Sequence, residues 1–169
     1  MIETHPLEPF VPKNARYLLI GSFMAKAYGS DSYDWYYGSK RNQFWPILEE
    51  TYNLKLNTIE SKQELLTRLN LAITDIIYQC ERQKGSSLDA NLINIVYNTP
   101  AIEKILRDNK IEKIFFSSRF VETKFRKLFT NISIELITLP SPSPRYAAMT
   151  KSQKITRYKE LLPTFVLER

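Results

Sequence analysis

Four short apolar runs, rich in β-branched and aromatic residues, punctuate the chain: Arg16 to Gly21, Ala72 to Ile77, Lys113 to Ser117 and Ile134 to Leu139. Each is bounded by polar residues or glycine, a pattern that predicts buried strands better than helices. Between the runs the apolar positions change to a helical period. Asn42 to Tyr52 places Phe44, Ile47 and Leu48 on one side, and Ser61 to Leu69 repeats Leu65, Leu66 and Leu69. Thr99-Pro100 opens a third helix, where proline suits a first-turn position, and Ile102, Ile105 and Leu106 form its stripe. Arg119 to Phe129 buries Phe120, Phe125, Leu128 and Phe129, and Met149 to Leu162 ends before Pro163.

Strands alternating with helices predict an α/β fold with a parallel sheet covered on both faces. Ligands of such sheets bind beyond the carboxyl ends of the strands. The functional rim is therefore expected at Gly21 to Lys26, Asp75 to Arg82, Ser117 to Arg119 and Leu139 to Tyr146.

Composition narrows the chemistry. At 169 residues the chain is expected to form one domain, 1–169. A net charge of +6 suggests a polyanionic partner, with nucleic acid the first candidate. Cys80 is the only cysteine, which argues against an intramolecular disulfide and against cysteine-ligated zinc or iron–sulfur sites. His5 is the only histidine, beside a terminus expected to be mobile, which argues against Ser–His, Cys–His and histidine-rich metal chemistry. Amides, hydroxyls, carboxylates and backbone groups remain. No signal peptide or bilayer-length apolar run is evident, so a cytoplasmic protein is expected.

Three segments hold candidate chemistry. Gly21-Ser22-Phe23-Met24 follows the first strand and leads to Tyr36-Tyr37-Gly38-Ser39-Lys40-Arg41-Asn42-Gln43-Phe44-Trp45, with Tyr28, Tyr33 and Trp35 between. Aromatic rings interleaved with Lys26, Lys40 and Arg41 suit base stacking beside phosphate neutralisation, or a core edged by solvated cations. Asn42 suits a helix cap or an amide aimed into a pocket. Leu139-Pro140-Ser141-Pro142-Ser143-Pro144-Arg145 is stiffened by three prolines, leaving two hydroxyls and one cation to grip a phosphate backbone, or simply connecting strand to helix. Cys80 to Asp89 reads as a basic loop in which Ser86 or Ser87 caps a following helix, with Asp89 completing a capping-box-like pattern.

Taken together, these segments resemble the hypoxanthine-DNA glycosylase branch of the uracil-DNA glycosylase superfamily. That branch reads roughly Gly-Ser-Phe-Pro, Tyr-Tyr-x-His-Pro-x-Asn-x-Phe-Trp, Cys-x-Arg…Gly-Ser-Leu-Asp and Leu-Pro-Ser-x-Ser-Pro. The order and spacing run from about Arg16 to Leu162. Met24 replaces the proline, Ser39-Lys40 replace His-Pro, and Ser117-Ser118 stand where relatives often carry Asn-Gly. Phe23 and Leu139 stand where classical uracil enzymes carry an Asp or Asn and a histidine, and the branch shares both changes.

The resemblance implies a three-layer α/β/α fold around a four-stranded parallel sheet, and hydrolysis of a base–sugar bond in damaged or mismatched DNA without metal or cofactor; a monomer is expected. It implies Asn42 as the catalytic residue and Gly21, Ser22, Phe23, Tyr37 and Ser117 as the base pocket, Tyr37 stacking on the flipped base. Ser141, Ser143, Pro144, Arg145 and Lys40 are the implied DNA contacts. Phe44 and Trp45 would buttress the loop from the core. A relative that binds nucleic acid without turnover is the alternative.

Overall fold

The computed structural model describes residues 1–26 and 34–165. Tyr28 and Tyr33, counted among the loop aromatics, lie outside the described residues. In chain order the elements are β1 (Ile2–Thr4), β2 (Tyr17–Gly21), α1 (Phe44–Tyr52), α2 (Ile59–Arg68), β3 (Leu71–Asp75), β4 (Ile77–Arg82), β5 (Leu92–Tyr97), α3 (Thr99–Asp108), β6 (Lys113–Phe116), α4 (Arg119–Leu128), β7 (Glu135–Thr138) and α5 (Lys151–Leu161).

The main sheet has the order β3-β2-β6-β7 with every neighbouring pair parallel. Strand alternation sends Leu19 and Phe115 to one face, and Leu18, Ile20, Ile114 and Phe116 to the other. The first face packs against α1, α2 and α5 through Phe44, Ile47, Leu48, Leu65, Leu66 and Tyr158. The second packs against α3 and α4 through Ile102, Ile105, Val121 and Phe125. This is the expected three-layer α/β/α fold around four parallel strands.

The second face also carries a three-stranded antiparallel sheet, β1-β4-β5, absent from the sequence expectation. The run Ala72 to Ile77, read as one strand, belongs to both sheets. β3 stops at Asp75, the Ile76 and Ile77 amides donate to Gly21 O and Ser22 O, and the chain enters β4. The segment after Cys80 likewise continues as strand to Arg82. No helix is capped there. Ser86 Oγ instead accepts from Leu88 N and Asn91 Nδ2, and one 3₁₀ turn, Asp89–Asn91, leads into β5.

Helix boundaries follow local chemistry. Thr58 and Thr150 each accept from the backbone N–H three residues on, and Ser61 and Gln153 return the bond, closing capping boxes on α2 and α5. Pro100 lies in the first turn of α3. Among the described residues no helix is long and apolar enough to cross a membrane.

Candidate functional site

The carboxyl ends of β2, β3 and β6 converge on Gly21, Asp75 and Ser117. Gly21 ends β2, paired with Asp75 across the β2–β3 ladder, and Ser117 N donates to Ile20 O at 3.1 Å. A side chain at Gly21 would have no room. An added Cβ would collide with Asp75 Oδ1 and lie 2.5 Å from the Tyr37 hydroxyl. Three segments far apart in sequence therefore meet at one atom that glycine alone leaves uncovered.

Tyr37 is held there at a cost. Its φ of 55° lies in the left-handed region, worth roughly 1–3 kcal/mol of strain for a non-glycine residue. Neighbouring contacts offset that strain. The Tyr37 ring stacks on Phe44 at 4.2 Å, and Trp45 Nε1 donates to Tyr36 O at 2.7 Å. Phe44 and Trp45 are buried beneath the loop, and Trp35 stacks on Trp45 at 5.9 Å. The Tyr37 hydroxyl is buried, and no hydrogen bond of acceptable geometry reaches it. Burial first, and then the Asp75 charge, raise this phenol well above its ordinary pKa, with neighbouring Ser117 acting in the opposite sense.

His5 is part of this site, which corrects the expectation of a mobile terminus. β1 pairs antiparallel with β4, and His5 N donates to Tyr78 O at 2.7 Å, so the terminus is anchored as sheet. The imidazole is buried, with Nε2 2.6 Å from Asp75 Oδ2. It lies edge-on to Phe23 at 5.5 Å and tilted against Tyr36 at 5.6 Å.

The Gly21–Met24 loop is pinned from its other side. Arg82, its side chain almost fully buried, donates to Glu3 Oε2 at 2.7 Å and to Met24 O, and covers the Phe23 ring at 5.3 Å. This basic residue is structural rather than solvated. Asp89 lies beside Ser22. Burial raises its pKa, the Ser22 hydroxyl acts against that rise, and Asp75 adds to it. Among the described residues no three His, Cys, Asp or Glu side chains are grouped to hold a metal.

Asn42 stands at the mouth of α1. It precedes Gln43, the N-cap of α1, whose side chain makes no capping bond; Asn42 Oδ1 accepts from Phe44 N at 2.9 Å, and a backbone N–H can only donate, so the amide is oriented with Nδ2 turned away from that bond. Among the described residues Nδ2 makes no hydrogen bond. Gln43 N donates to Pro142 O at 2.8 Å, which seats the proline-rich loop against this segment.

α5 locks that loop in place. Lys154 is 1% exposed, and its Nζ donates to Gln43 Oε1 at 2.9 Å and to Ser143 O at 3.0 Å. Tyr158 hydroxyl donates to Pro140 O at 2.8 Å. Burial lowers the Lys154 pKa and raises that of Tyr158. Ser141 and Ser143 accept from the amides of Ser143 and Arg145, each at 3.2 Å, so the hydroxyls shape the loop and keep their own protons to donate. Arg145 and Pro144 are exposed at its tip.

The structure thus brings Gly21, Tyr37 and Ser117 together, with Phe23 and Ser22 on the adjoining wall. Asn42 and the Ser141–Arg145 loop form a neighbouring rim joined through Phe44 and Gln43. His5, Asp75 and Lys154 were not singled out from sequence.

No family model matches the chain, and no curated protein sequence matches it. The fold is similar to the solution NMR structure named "putative Uracil DNA glycosylase" from Methanosarcina acetivorans, with a TM-score of 0.64 and 20% identity. The match covers 95% of this chain and 99% of that one. At this identity the likeness is one of fold.

Replacing Lys154 with methionine keeps the packed stem and leaves two acceptors unpaired, at a cost of about 1–3 kcal/mol each where they stay dry. The variant is expected to melt at lower temperature and to exchange amide hydrogens faster across residues 140–146. Unchanged exchange in that loop would mean that Lys154 does not hold it.

Proposed function

We propose that this protein is a DNA glycosylase that flips a deaminated base, hypoxanthine or uracil, out of DNA and hydrolyses its bond to the sugar. The observation that carries the reading is convergence: the motif segments that resemble the hypoxanthine branch meet at the carboxyl edge of a sheet whose fold is similar to that of a structure named "putative Uracil DNA glycosylase".

Extruding the nucleotide costs a few kcal/mol of stacking and pairing. The rim offsets this through phosphate contacts. Arg145, the Ser141 and Ser143 hydroxyls, Pro144 and Lys40 lie on the segments that would grip and compress the backbone. The base enters the pocket walled by Gly21, Ser22, Phe23, Tyr37 and Ser117. As the bond lengthens, positive charge builds on the sugar and negative charge on the base, and a dry, preorganised pocket stabilises the separated charges. Asn42 is the proposed catalytic residue, because its bond from Phe44 N fixes the amide plane and leaves Nδ2 to hold a water or donate to the departing base. Backbone N–H groups of Ser22 and Phe23 support the leaving group. This chemistry asks for no metal or cofactor.

Single-turnover excision from oligonucleotides containing hypoxanthine, uracil, xanthine or mismatched thymine tests the reading directly. Base release supports the enzyme; tight, salt-sensitive binding without release would make the chain a binding relative instead. Asn42→Ser keeps a hydroxyl acceptor for Phe44 N and removes the amide. It is expected to lower excision at least tenfold with little change in Tm, and a wild-type rate would remove Asn42 from catalysis. Arg145→Ala should weaken DNA binding and reduce the salt slope by roughly one unit. An unchanged slope would place Arg145 away from phosphate.

A further inference from the structure

One polar atom at the end of the site, the Tyr37 hydroxyl, is buried without a partner, and it faces Asp75, which the chain's one histidine fixes. Asp75 has a side chain only 6% exposed, and its Oδ2 is occupied by His5 Nε2 at 2.6 Å. Leu7 N donates to His5 Nδ1 at 3.2 Å. Nδ1 therefore carries the lone pair, and the proton sits on Nε2, directed at Asp75. Phe23 and Tyr36 pack on the imidazole. Asp75 is thus held in one orientation.

Its other oxygen, Oδ1, accepts no hydrogen bond among the described residues and projects over Gly21. The Tyr37 hydroxyl approaches the same point and is buried without a partner. Leaving a buried polar group such as this hydroxyl unpaired is costly, and native proteins rarely do so without a use. One group here accepts only. The other is a phenol that burial and the neighbouring charge keep protonated, hence a donor. An acceptor beside a donor complements a ring N–H next to a carbonyl, the lactam or imide edge of a base.

We propose that Asp75 and the Tyr37 hydroxyl read the ring N–H and adjoining carbonyl of the bound base, with His5 positioning Asp75. The proposal rests on the glycosylase reading and names the selectivity of its pocket. Hypoxanthine, xanthine and uracil carry this edge. Adenine and cytosine place a ring nitrogen lone pair where the N–H would be, facing the carboxylate. Deamination of adenine or cytosine converts the rejected edge into the accepted one, whereas guanine and thymine carry that edge already.

His5 makes the proposal testable by inversion. In Asp75→Asn the Nε2 proton of His5 still demands an acceptor, so it takes the amide oxygen and turns the NH₂ toward the site. The donor now faces the base, and the preference for hypoxanthine over adenine should fall at least tenfold. Adding His5→Ala to Asp75→Asn lets the amide rotate, which should recover part of that preference. A side chain with a merely structural role would not produce this reversal and recovery.

The measurements are competition by free hypoxanthine, 1-methylhypoxanthine and adenine for the intact protein, followed by NMR or calorimetry, alongside excision from the corresponding oligonucleotides. Wild type should bind 1-methylhypoxanthine, which lacks the N–H, at least tenfold more weakly than hypoxanthine. Tyr37→Phe should weaken hypoxanthine at least tenfold while leaving Tm unchanged or raised, because it deletes an unpaired buried hydroxyl. Equal binding of hypoxanthine and its methyl derivative would overturn the proposal, as would a lowered Tm in Tyr37→Phe with base preference intact. Excision that persists with wild-type preference in Asp75→Asn would sink this inference alone. Asp75-dependent binding without any base release would sink the glycosylase reading and leave the inference standing.

Discussion

A missing side chain at Gly21 is the constraint on which the site depends. Parallel pairing brings the ends of β2 and β3 within one ladder step, and a Cβ at Gly21 would displace both Asp75 Oδ1 and the Tyr37 hydroxyl. Because that Cβ is absent, a carboxylate and a phenol from different segments can face the same point. The left-handed backbone at Tyr37 follows from the same demand. A relaxed backbone there would redirect the ring, so the strain is the cost of aiming it.

The rest of the edge is held by buried polar tethers rather than by apolar packing. Arg82 fixes the Gly21–Met24 loop to β1, and Lys154 with Tyr158 fixes the Pro140–Ser143 stretch to α1 and α5. These side chains satisfy main-chain carbonyls that proline-rich or irregular loops cannot pair among themselves. Rigidity at the rim matters on the proposed reading, because positioning a flipped nucleotide calls for walls that do not relax toward it.

Much of this architecture was legible in the sequence. The four parallel strands and five helices were visible because apolar spacing changes from contiguous runs to a helical period, with Pro100 and Pro163 marking helix ends, whereas the capping boxes at Thr58 and Thr150 were not read. The second sheet was not. β4 alternates poorly because its pairing with β5 shifts register at two places, and one apolar run served two sheets across Ile76. Gly21, Tyr37 and Ser117 were named as pocket residues, and the structure gathers them, but Asp75 was reached only as the first residue of an expected rim segment and its partner His5 was set aside. A contact spanning 70 residues leaves no local trace, and a lone histidine beside a terminus reads as solvent-exposed. A carboxylate closing an otherwise apolar strand was the available signal for Asp75. For Lys154 it was the spacing of four from Tyr158, which places both on the face of α5 that meets α1.

The distribution of charge suggests a division of labour for a DNA-binding role. A net charge of +6 attracts any phosphate backbone, and attraction of that kind carries no information about the base. On the proposed reading Arg145, at the exposed loop tip, would belong to this long-range, salt-screened term. Asp75 has the opposite sign and sits behind Gly21, almost out of solvent, where screening by salt is weak. A carboxylate placed there would lose affinity if it met phosphate. It gains value only if a group bearing a proton reaches it, after the rim has already bound the strand. On this account affinity resides at the rim and choice of base at the floor, and the two should respond differently to salt.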